Sequence, residues 1–197
     1  MSATGVRRPA RADARRNYDL LLSKAHDVFT EHGTDASLEE IARRAGLGIG
    51  TLYRHFPTRD VLVEALLRDR FEAMRQAAER VRDEPPYAAL AQWLRKFTAG
   101  AATYQGLPAS VVAIMRQPGS ELYASCHGMR DAGLELIARA QQAHVIRDDL
   151  KPTDVLALVG AIAWVGQQTP EDAGQPDRLL ALVLDALTAP MKARPTA

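Results

Sequence analysis

The chain is poor in cysteine, in aromatic residues and in long apolar runs, and each shortage excludes a class of protein. A single cysteine, Cys126, cannot form a disulfide within the chain, which fits a reducing cytoplasm better than a secreted domain. No apolar run approaches the roughly 20 residues that a membrane-spanning helix needs. No apolar segment follows the N-terminal arginines, as it would in a signal peptide. We therefore expect a cytoplasmic protein without a membrane partner.

Enzyme signatures are missing as well. The sequence has no glycine-rich phosphate loop, no nucleophile elbow and no paired-histidine motif. Cys126, His127 and His144 invite a metal site, but all three fall on one predicted helix. There His144 lies about 26 Å from His127 by helical rise, and adjacent side chains point about 100° apart. We expect no metal, no cofactor and no enzymatic activity.

The charge is balanced overall but uneven along the chain. The net charge is +1, from 25 basic and 24 acidic residues, so the molecule is not a polycation. The first sixteen residues nevertheless hold only one acid, Asp13, against Arg7, Arg8, Arg11, Arg15 and Arg16. A basic arm ahead of a DNA-binding motif can contact phosphates or the minor groove. The alternative is a solubilising tail, and in either case we expect residues 1–14 to be disordered.

The stretch Ser37–Phe56 predicts two short helices joined by a tight turn. Ser37 is a good N-cap, and Glu40, three residues later, completes the S-x-x-E capping box. Gly46 stands where a helix C-terminus favours a left-handed residue. A second helix is expected at roughly Thr51–His55. The segment therefore has the order helix, turn, helix.

The second of these helices has a polar face that packing does not explain. Leu52 and Phe56, four residues apart, can face the preceding helix. The side chains left pointing outward are those of Thr51, Tyr53, Arg54 and His55. A helix of about two turns is marginal by itself, and a helix-turn-helix places such a helix in the major groove of DNA. The alternative on geometry alone is an ordinary αα-hairpin in an all-helical protein.

The amino-acid sequence of this region also resembles that of a known family. IARRAGLGIGTLYRHFPTRDVLVEALL strongly resembles the DNA-binding domain of the TetR family of bacterial transcriptional regulators. The resemblance runs from about Arg15 to Leu67, and T-L-Y-R-H-F at Thr51–Phe56 is its most specific part. It implies a repressor that binds a palindromic double-stranded DNA operator.

The resemblance implies an all-α fold of about nine helices in two domains. The N-terminal domain carries three helices with the helix-turn-helix, and the C-terminal helical domain binds an effector and forms the dimer. The expected ranges are 15–70 for the DNA-binding domain, 37–56 for its motif, 71–190 for the C-terminal domain and 191–197 for a disordered tail.

The resemblance assigns DNA contacts at matching positions. The residues expected at phosphates are Ser37, Tyr53, His55, Thr58 and Arg59. Thr51 and Arg54 are three apart and are expected at base edges, Arg54 by a bidentate contact to guanine. Arg43 or Arg44 would reach the groove or the backbone from the preceding helix. Relatives often carry Ser and then Lys where this chain has Gly48 and Ile49, and Ile49 could instead contact a thymine methyl.

Apolar periodicity predicts six further helices after the motif. They are expected at about Arg59–Arg82, Tyr87–Thr103, Pro108–Arg116, Glu121–Ala143, Thr153–Gln167 with Thr153 as its cap, and Asp177–Thr188. The last two are apolar on more than one face, so they need a second partner. The simplest partner is a second copy, giving a four-helix bundle across a two-fold axis, which the resemblance also implies. The alternative is a monomer whose core surrounds both helices.

TetR relatives usually bind a small molecule in the C-terminal domain and then release DNA. Aromatic and methionine side chains with a few polar groups suit a mostly apolar effector. The candidates are Trp93, Phe97, Tyr104, Met115, Tyr123, Cys126, His127, Met129, Trp164 and Gln167. The alternative for each is ordinary core packing. A narrower alternative for the whole protein is a DNA-binding regulator controlled by a protein partner, and an enzyme or a structural helical protein is least favoured.

Overall fold

The computed structural model describes residues 10–101, 106–169 and 171–188, and these residues form nine α-helices without a β-strand. The helices are α1 (Ala10–His32), α2 (Leu38–Arg44), α3 (Ile49–His55), α4 (Arg59–Arg80), α5 (Pro86–Ala101), α6 (Ala109–Met115), α7 (Glu121–Gln142), α8 (Pro152–Gln168) and α9 (Gln175–Thr188). Within the described ranges, every helix is too short or too polar to cross a bilayer. The expected tail at 191–197 lies outside the described residues.

The chain divides into two compact units. The first comprises the described parts of Met1–Leu67 and Tyr104–Ala113, and the second those of Arg68–Thr103 and Ile114–Ala197. The helix α4 therefore begins in the first unit and ends in the second. The expectation of one boundary near residue 70 did not include the return of the chain to the first unit.

The first unit has a core that its first three helices share. Its buried members are Leu21, Ala25, Val28, Phe29, Leu38, Ile41, Leu52 and Phe56, whereas Leu47 in the turn is only half-buried. The helix α2 packs against both α1 and α3. Burial of these apolar side chains is the main term that holds three helices of such unequal length together.

Two side-chain hydroxyls form hydrogen bonds between the described part of the segment 104–113 and the rest of the first unit. The buried Thr34 hydroxyl donates a hydrogen bond to the carbonyl oxygen of Gly106. The Ser110 hydroxyl donates to Oδ2 of Asp60, in the first turn of α4, at 2.5 Å. Both contacts join residues more than 45 positions apart, so no local pattern in the sequence could indicate them.

The expectation of a disordered segment up to residue 14 was wrong for residues 10–14. The helix α1 begins at Ala10, five residues before the predicted start at Arg15. Alanine and arginine have high helix propensity, and an acid in the first turn interacts favourably with the helix dipole. Asp13 occupies that turn and forms an ion pair with Arg16 at 3.0 Å.

Prolines lie at or near the start of three helices, and each of these helices begins one or two residues before its predicted start. The helix α5 begins at Pro86, and Pro176 is the second residue of α9. The expected cap of α8 was also wrong: Lys151 is the N-cap, Pro152 follows it, and Thr153 is already helical. Proline suits the first turn of a helix because its fixed φ is helical and no N–H is needed there.

The second unit is built around α5, which packs against α7, α8 and α9. Trp93 in α5 is only 1% exposed, and its indole N–H donates to the carbonyl oxygen of Met74 at 3.0 Å. The Trp93 ring stacks on Phe97 with the centroids 5.4 Å apart. On the facing helix, Gly133 leaves room for the indole, because a Cβ there would lie 2.4 Å from its nearest ring carbon.

Replacing Gly133 by alanine is therefore expected to lower stability by about 1–3 kcal/mol through overpacking. The matched control is Gly128→Ala on the same helix, where the added Cβ would meet Arg75 Cδ at an ordinary 3.5 Å. That variant should be neutral or up to about 1 kcal/mol more stable, since alanine favours the helix. Urea unfolding of both variants measures the difference. Equal stabilities would contradict the close packing of Trp93 on α7.

Candidate nucleic-acid interface

The turn between α2 and α3 has the geometry of a helix end followed directly by a new helix. Gly46 has φ +65°, its N–H donates to Arg43 O at 3.0 Å, and the Leu47 N–H donates to Ala42 O at 2.9 Å. This is the bonding pattern of an α-helix whose C-terminus is closed by a residue in the left-handed conformation. The helix α3 starts at Ile49, two residues before the expected Thr51, with Gly48 as its N-cap.

The predicted capping box of α2 forms only in part. The Ser37 hydroxyl accepts from the N–H of Glu40 at 3.3 Å and donates to Glu39 Oε2 at 2.8 Å. The Glu40 carboxylate does not complete the box but accepts hydrogen bonds from Arg43 and Arg44. Two guanidinium groups offer stronger, charge-assisted bonds than one backbone N–H, which explains the different partner.

The outward face of α3 holds the side chains that the sequence placed there. Tyr53 is 45% exposed, whereas Leu52 is fully buried on the opposite side. Arg54 lies along the helix surface, with Nη2 donating to Thr51 Oγ1 at 3.2 Å and Nε donating to Gly50 O at 3.2 Å. The two predicted base readers are thus in contact with each other.

His55 and Ile49 lie at the edges of this face and are half-buried. The His55 ring packs edge-on against Tyr18 of α1, with the centroids 6.1 Å apart. Tyr18 also contacts Phe56, at 4.9 Å between centroids. The ring orientation of His55 is therefore fixed by α1 as well as by its own helix.

The two arginines at the end of α2 have different environments. Arg44 bridges two helices, with Nε bonded to Glu40 at 2.8 Å and Nη1 to Glu31 of α1 at 2.9 Å. Arg43 bonds only to Glu40, and its side chain is 73% exposed. Hydrogen bonds from Arg43, and then from Arg44, lower the pKa of Glu40 to about 2. Arg43 is the better placed of the pair to meet a phosphate.

The sequence analysis missed this network, although its spacing was visible. Glu40 lies three residues before Arg43 and four before Arg44, and both separations bring side chains together on a helix. The partner Glu31 belongs to α1, so its part in the network depends on packing between helices.

Thr58 and Arg59, both predicted phosphate contacts, make bonds within the unit. The Thr58 hydroxyl accepts from the N–H of Val61 at 3.3 Å and so caps the first turn of α4. Arg59 Nη1 donates to the carbonyl oxygens of Thr34 at 2.6 Å and Ala36 at 2.5 Å. These bonds fasten the start of α4 to the link between α1 and α2, and the phosphate role of both residues stays a prediction.

The candidate effector residues occupy several different environments in the second unit. Trp93 and Met129 are buried core residues, and Phe97 packs against the same core. Trp164 is 60% exposed, whereas Met115, Cys126 and Gln167 are half-buried. Tyr104 lies outside the described residues. Because Trp93 is buried and Trp164 is exposed, the nine candidates that the structure describes do not share one environment.

Besides Trp93 and Phe97, a second pair among these candidates has its rings in contact. The rings of Tyr123 and His127, one turn apart on α7, have centroids 3.9 Å apart. Burial raises the pKa of the neighbouring Cys126 thiol, which favours its neutral form. In the part of the chain that the structure describes, no three His, Cys, Asp or Glu side chains are placed to hold a metal ion.

Two family models match the chain. Residues 21–66 match the model described as bacterial regulatory proteins, tetR family. Residues 85–189, more than half of the chain, match the C-terminal domain of SbtR-like transcriptional regulators. The two matches lie on the DNA-binding segment and on the C-terminal helices.

Solved structures of similar proteins cover nearly the whole chain. The TetR transcriptional regulator SCO0520 from Streptomyces coelicolor is 37% identical, with 88% of this chain and 99% of that one covered and a TM-score of 0.71. The TetR regulatory protein from Mycobacterium vanbaalenii is 32% identical, with coverages of 92% and 100% and a TM-score of 0.62.

Curated relatives match over a shorter stretch. The HTH-type transcriptional regulator SAR0097 from Staphylococcus aureus (strain MRSA252) is 36% identical over 70 residues, which is 34% of this chain and 36% of the relative. The chain thus spans about a third of the length of this curated relative.

Proposed function

Because the chain belongs to the TetR family of bacterial transcriptional regulators, we propose that it is a cytoplasmic homodimeric repressor that leaves a palindromic operator when a small, mostly apolar effector binds. DNA binding and transcriptional regulation are common to this family, whose members are not enzymes. The proposal adds the direction of regulation, the symmetry of the operator and the trigger.

The observation that carries the proposal is the outward face of α3. Thr51 and Arg54 lie together on a helix whose opposite side is buried, and Tyr53 is exposed beside them. Arginine can donate two hydrogen bonds to guanine, and a tyrosine hydroxyl can donate to a phosphate. The face therefore combines a base reader with a group that fixes the register on the duplex.

Exposed apolar side chains on the last two helices support the proposal of a dimer. Leu158 and Trp164 of α8 are 52% and 60% exposed, and Leu182 of α9 is 65% exposed. A groove of about 350 Å³ between these helices has a mostly apolar lining that includes Leu158, Leu182 and Leu187. Apolar patches of this kind mark interaction sites, and TetR-family regulators function as dimers. A second copy is the occupant that a two-fold axis would supply.

Release by an effector requires that the ligand bind one form of the dimer better than the other. Two recognition helices must lie about 34–36 Å apart to enter successive major grooves. The helix α4 begins in the DNA-binding unit and ends in the second unit, so a ligand that displaces it would alter this spacing. Tyr123, Cys126 and His127 are half-buried neighbours on α7, and we take them as the candidates to contact such a ligand.

Selection of bound duplexes from random DNA should yield a palindrome, and Arg54→Ala should relax the preference at one base pair of each half-site. The expected loss of discrimination there is about 1–3 kcal/mol. Tyr53→Ala is the control, because loss of a phosphate contact should weaken binding to all duplexes alike. Equal losses on operator and random DNA for Arg54→Ala would rule out its role as a base reader.

Replacing Leu182 by glutamate should give a folded monomer with weak operator binding, because a charge would then have to be buried in the dimer. Sedimentation velocity measures the oligomeric state. The matched control is Val145→Glu, another exposed apolar position, which lies outside α8 and α9 and should leave the dimer intact. A Leu182→Glu protein that dimerises as tightly as the wild type would place the interface elsewhere.

A thermal-shift screen tests the effector. A compound that binds the native state should raise the melting temperature by mass action, and it should also release the selected palindrome. His127→Ala is expected to reduce both effects for the same compound. Stabilisation without release would refute the proposed trigger. If no compound is active, but a second purified protein releases the regulator from the palindrome, the alternative of control by a protein partner would be favoured.

A further inference from the structure

A groove of about 540 Å³ lies between the end of α4 and the middle of α5, entirely within the second unit. Three basic side chains and one acidic side chain line it, together with an amide and an apolar floor. The lining consists of Ala77, Arg80, Val81, Glu84, Gln92, Trp93, Arg95 and Lys96. Basic groups thus exceed acidic groups by two at this site.

The three cations of this groove differ from most other basic groups in the same unit. Arg75 pairs with Glu72 at 2.7 Å, Arg147 with Asp149 at 2.6 Å, and Arg178 with Asp172 at 2.5 Å. By contrast, the side chains of Arg80, Arg95 and Lys96 have no hydrogen-bond or ion-pair partner among the described residues. The three cations outnumber Glu84, the one carboxylate in the lining, and a bound anion would reduce the repulsion among them.

Two other grooves in the unit have a smaller excess of positive charge. The groove between α4 and α7, of about 470 Å³, has three arginines, but Glu79 and Glu135 also line it. One of those arginines, Arg75, is already held by Glu72 and Glu79. The groove between α8 and α9 is mostly apolar and suits the second copy proposed above. Of these three grooves, the one between α4 and α5 has the largest excess of basic over acidic side chains.

We propose that the groove between α4 and α5 binds a small polyanion of the phosphate-ester class. Arg80, Arg95 and Lys96 would hold its charged groups, and the amide of Gln92 offers a further donor. Ala77, Val81 and the edge of Trp93 give an apolar surface for the remainder of the ligand. The volume falls in the range of small-molecule sites, which favours such a ligand over a macromolecule.

Because the site is open to water, we expect its ligand to carry two or more negative charges. The three cationic side chains are exposed to water, where a single pair of charges interacts weakly and salt screens it. A ligand with several charges can interact with more than one of the three cations at once, which offsets this weakness. The inference does not depend on release of DNA, since it concerns binding to the second unit alone.

The test is calorimetric titration of the full chain with inorganic pyrophosphate at fixed ionic strength. One saturable site per chain is expected, with affinity at least tenfold lower in a variant that combines Arg95→Gln and Lys96→Gln. The matched control combines Arg130→Gln and Lys151→Gln, which removes two exposed cations of the same unit outside the groove. Its affinity should stay within twofold of the wild type.

No saturable binding, or equal losses in both double variants, would overturn the proposal in favour of general electrostatic attraction. Binding of a glutamate-rich peptide at the groove, with no binding of pyrophosphate, would assign it to a protein partner instead and would also overturn it. Circular dichroism checks that each variant is folded. Arg80→Gln, on the other wall, provides a second variant that should weaken binding independently of α5.

Discussion

Burial of Leu52 and Phe56 holds α3 in place, because a helix of seven residues has little stability of its own. These two residues fix the rotation of α3 about its axis, and that rotation decides which side chains face outward. The contact of Tyr18 with both Phe56 and His55 adds α1 to the same cluster. The orientation of the side chains proposed to contact DNA thus depends on the apolar packing behind α3.

The arginines of α2 show how packing distinguishes two residues that are adjacent in sequence. Arg43 and Arg44 share one carboxylate, Glu40, but only Arg44 also reaches α1 through Glu31. Exposed ion pairs contribute little by themselves, typically 0 to about 1 kcal/mol, so the network mainly orients the side chains. Arg43 can exchange its bond with Glu40 for a phosphate at small cost. For Arg44 the same exchange would loosen the contact between two helices.

Local signals predicted the helix-turn-helix well, because caps and turns are decided by a few neighbouring residues. Ser37 caps the start of α2, and Gly46 follows its end with a positive φ, both as predicted. Leu52 and Phe56 are buried in the structure, as their spacing in the sequence indicated. The predicted starts of α5 and α8, at Tyr87 and Thr153, were each one residue late, since Pro86 and Pro152 begin these helices. The prediction also could not find the partners of Thr34 and Arg59, which lie far away in sequence.

The two tryptophans explain why the effector residues were harder to predict than the DNA-binding face. Both lie in apolar helices, so the sequence gives each the same prospects of packing in a core, lining a pocket or forming an interface. In the structure, Trp93 is enclosed by its own chain, with Gly133 opposite, whereas Trp164 is left 60% exposed. An indole that its own chain does not cover calls for a partner, and one that is covered leaves no space for a ligand except along its edge. A composition suited to a pocket therefore becomes evidence for one only after burial by the chain itself has been subtracted.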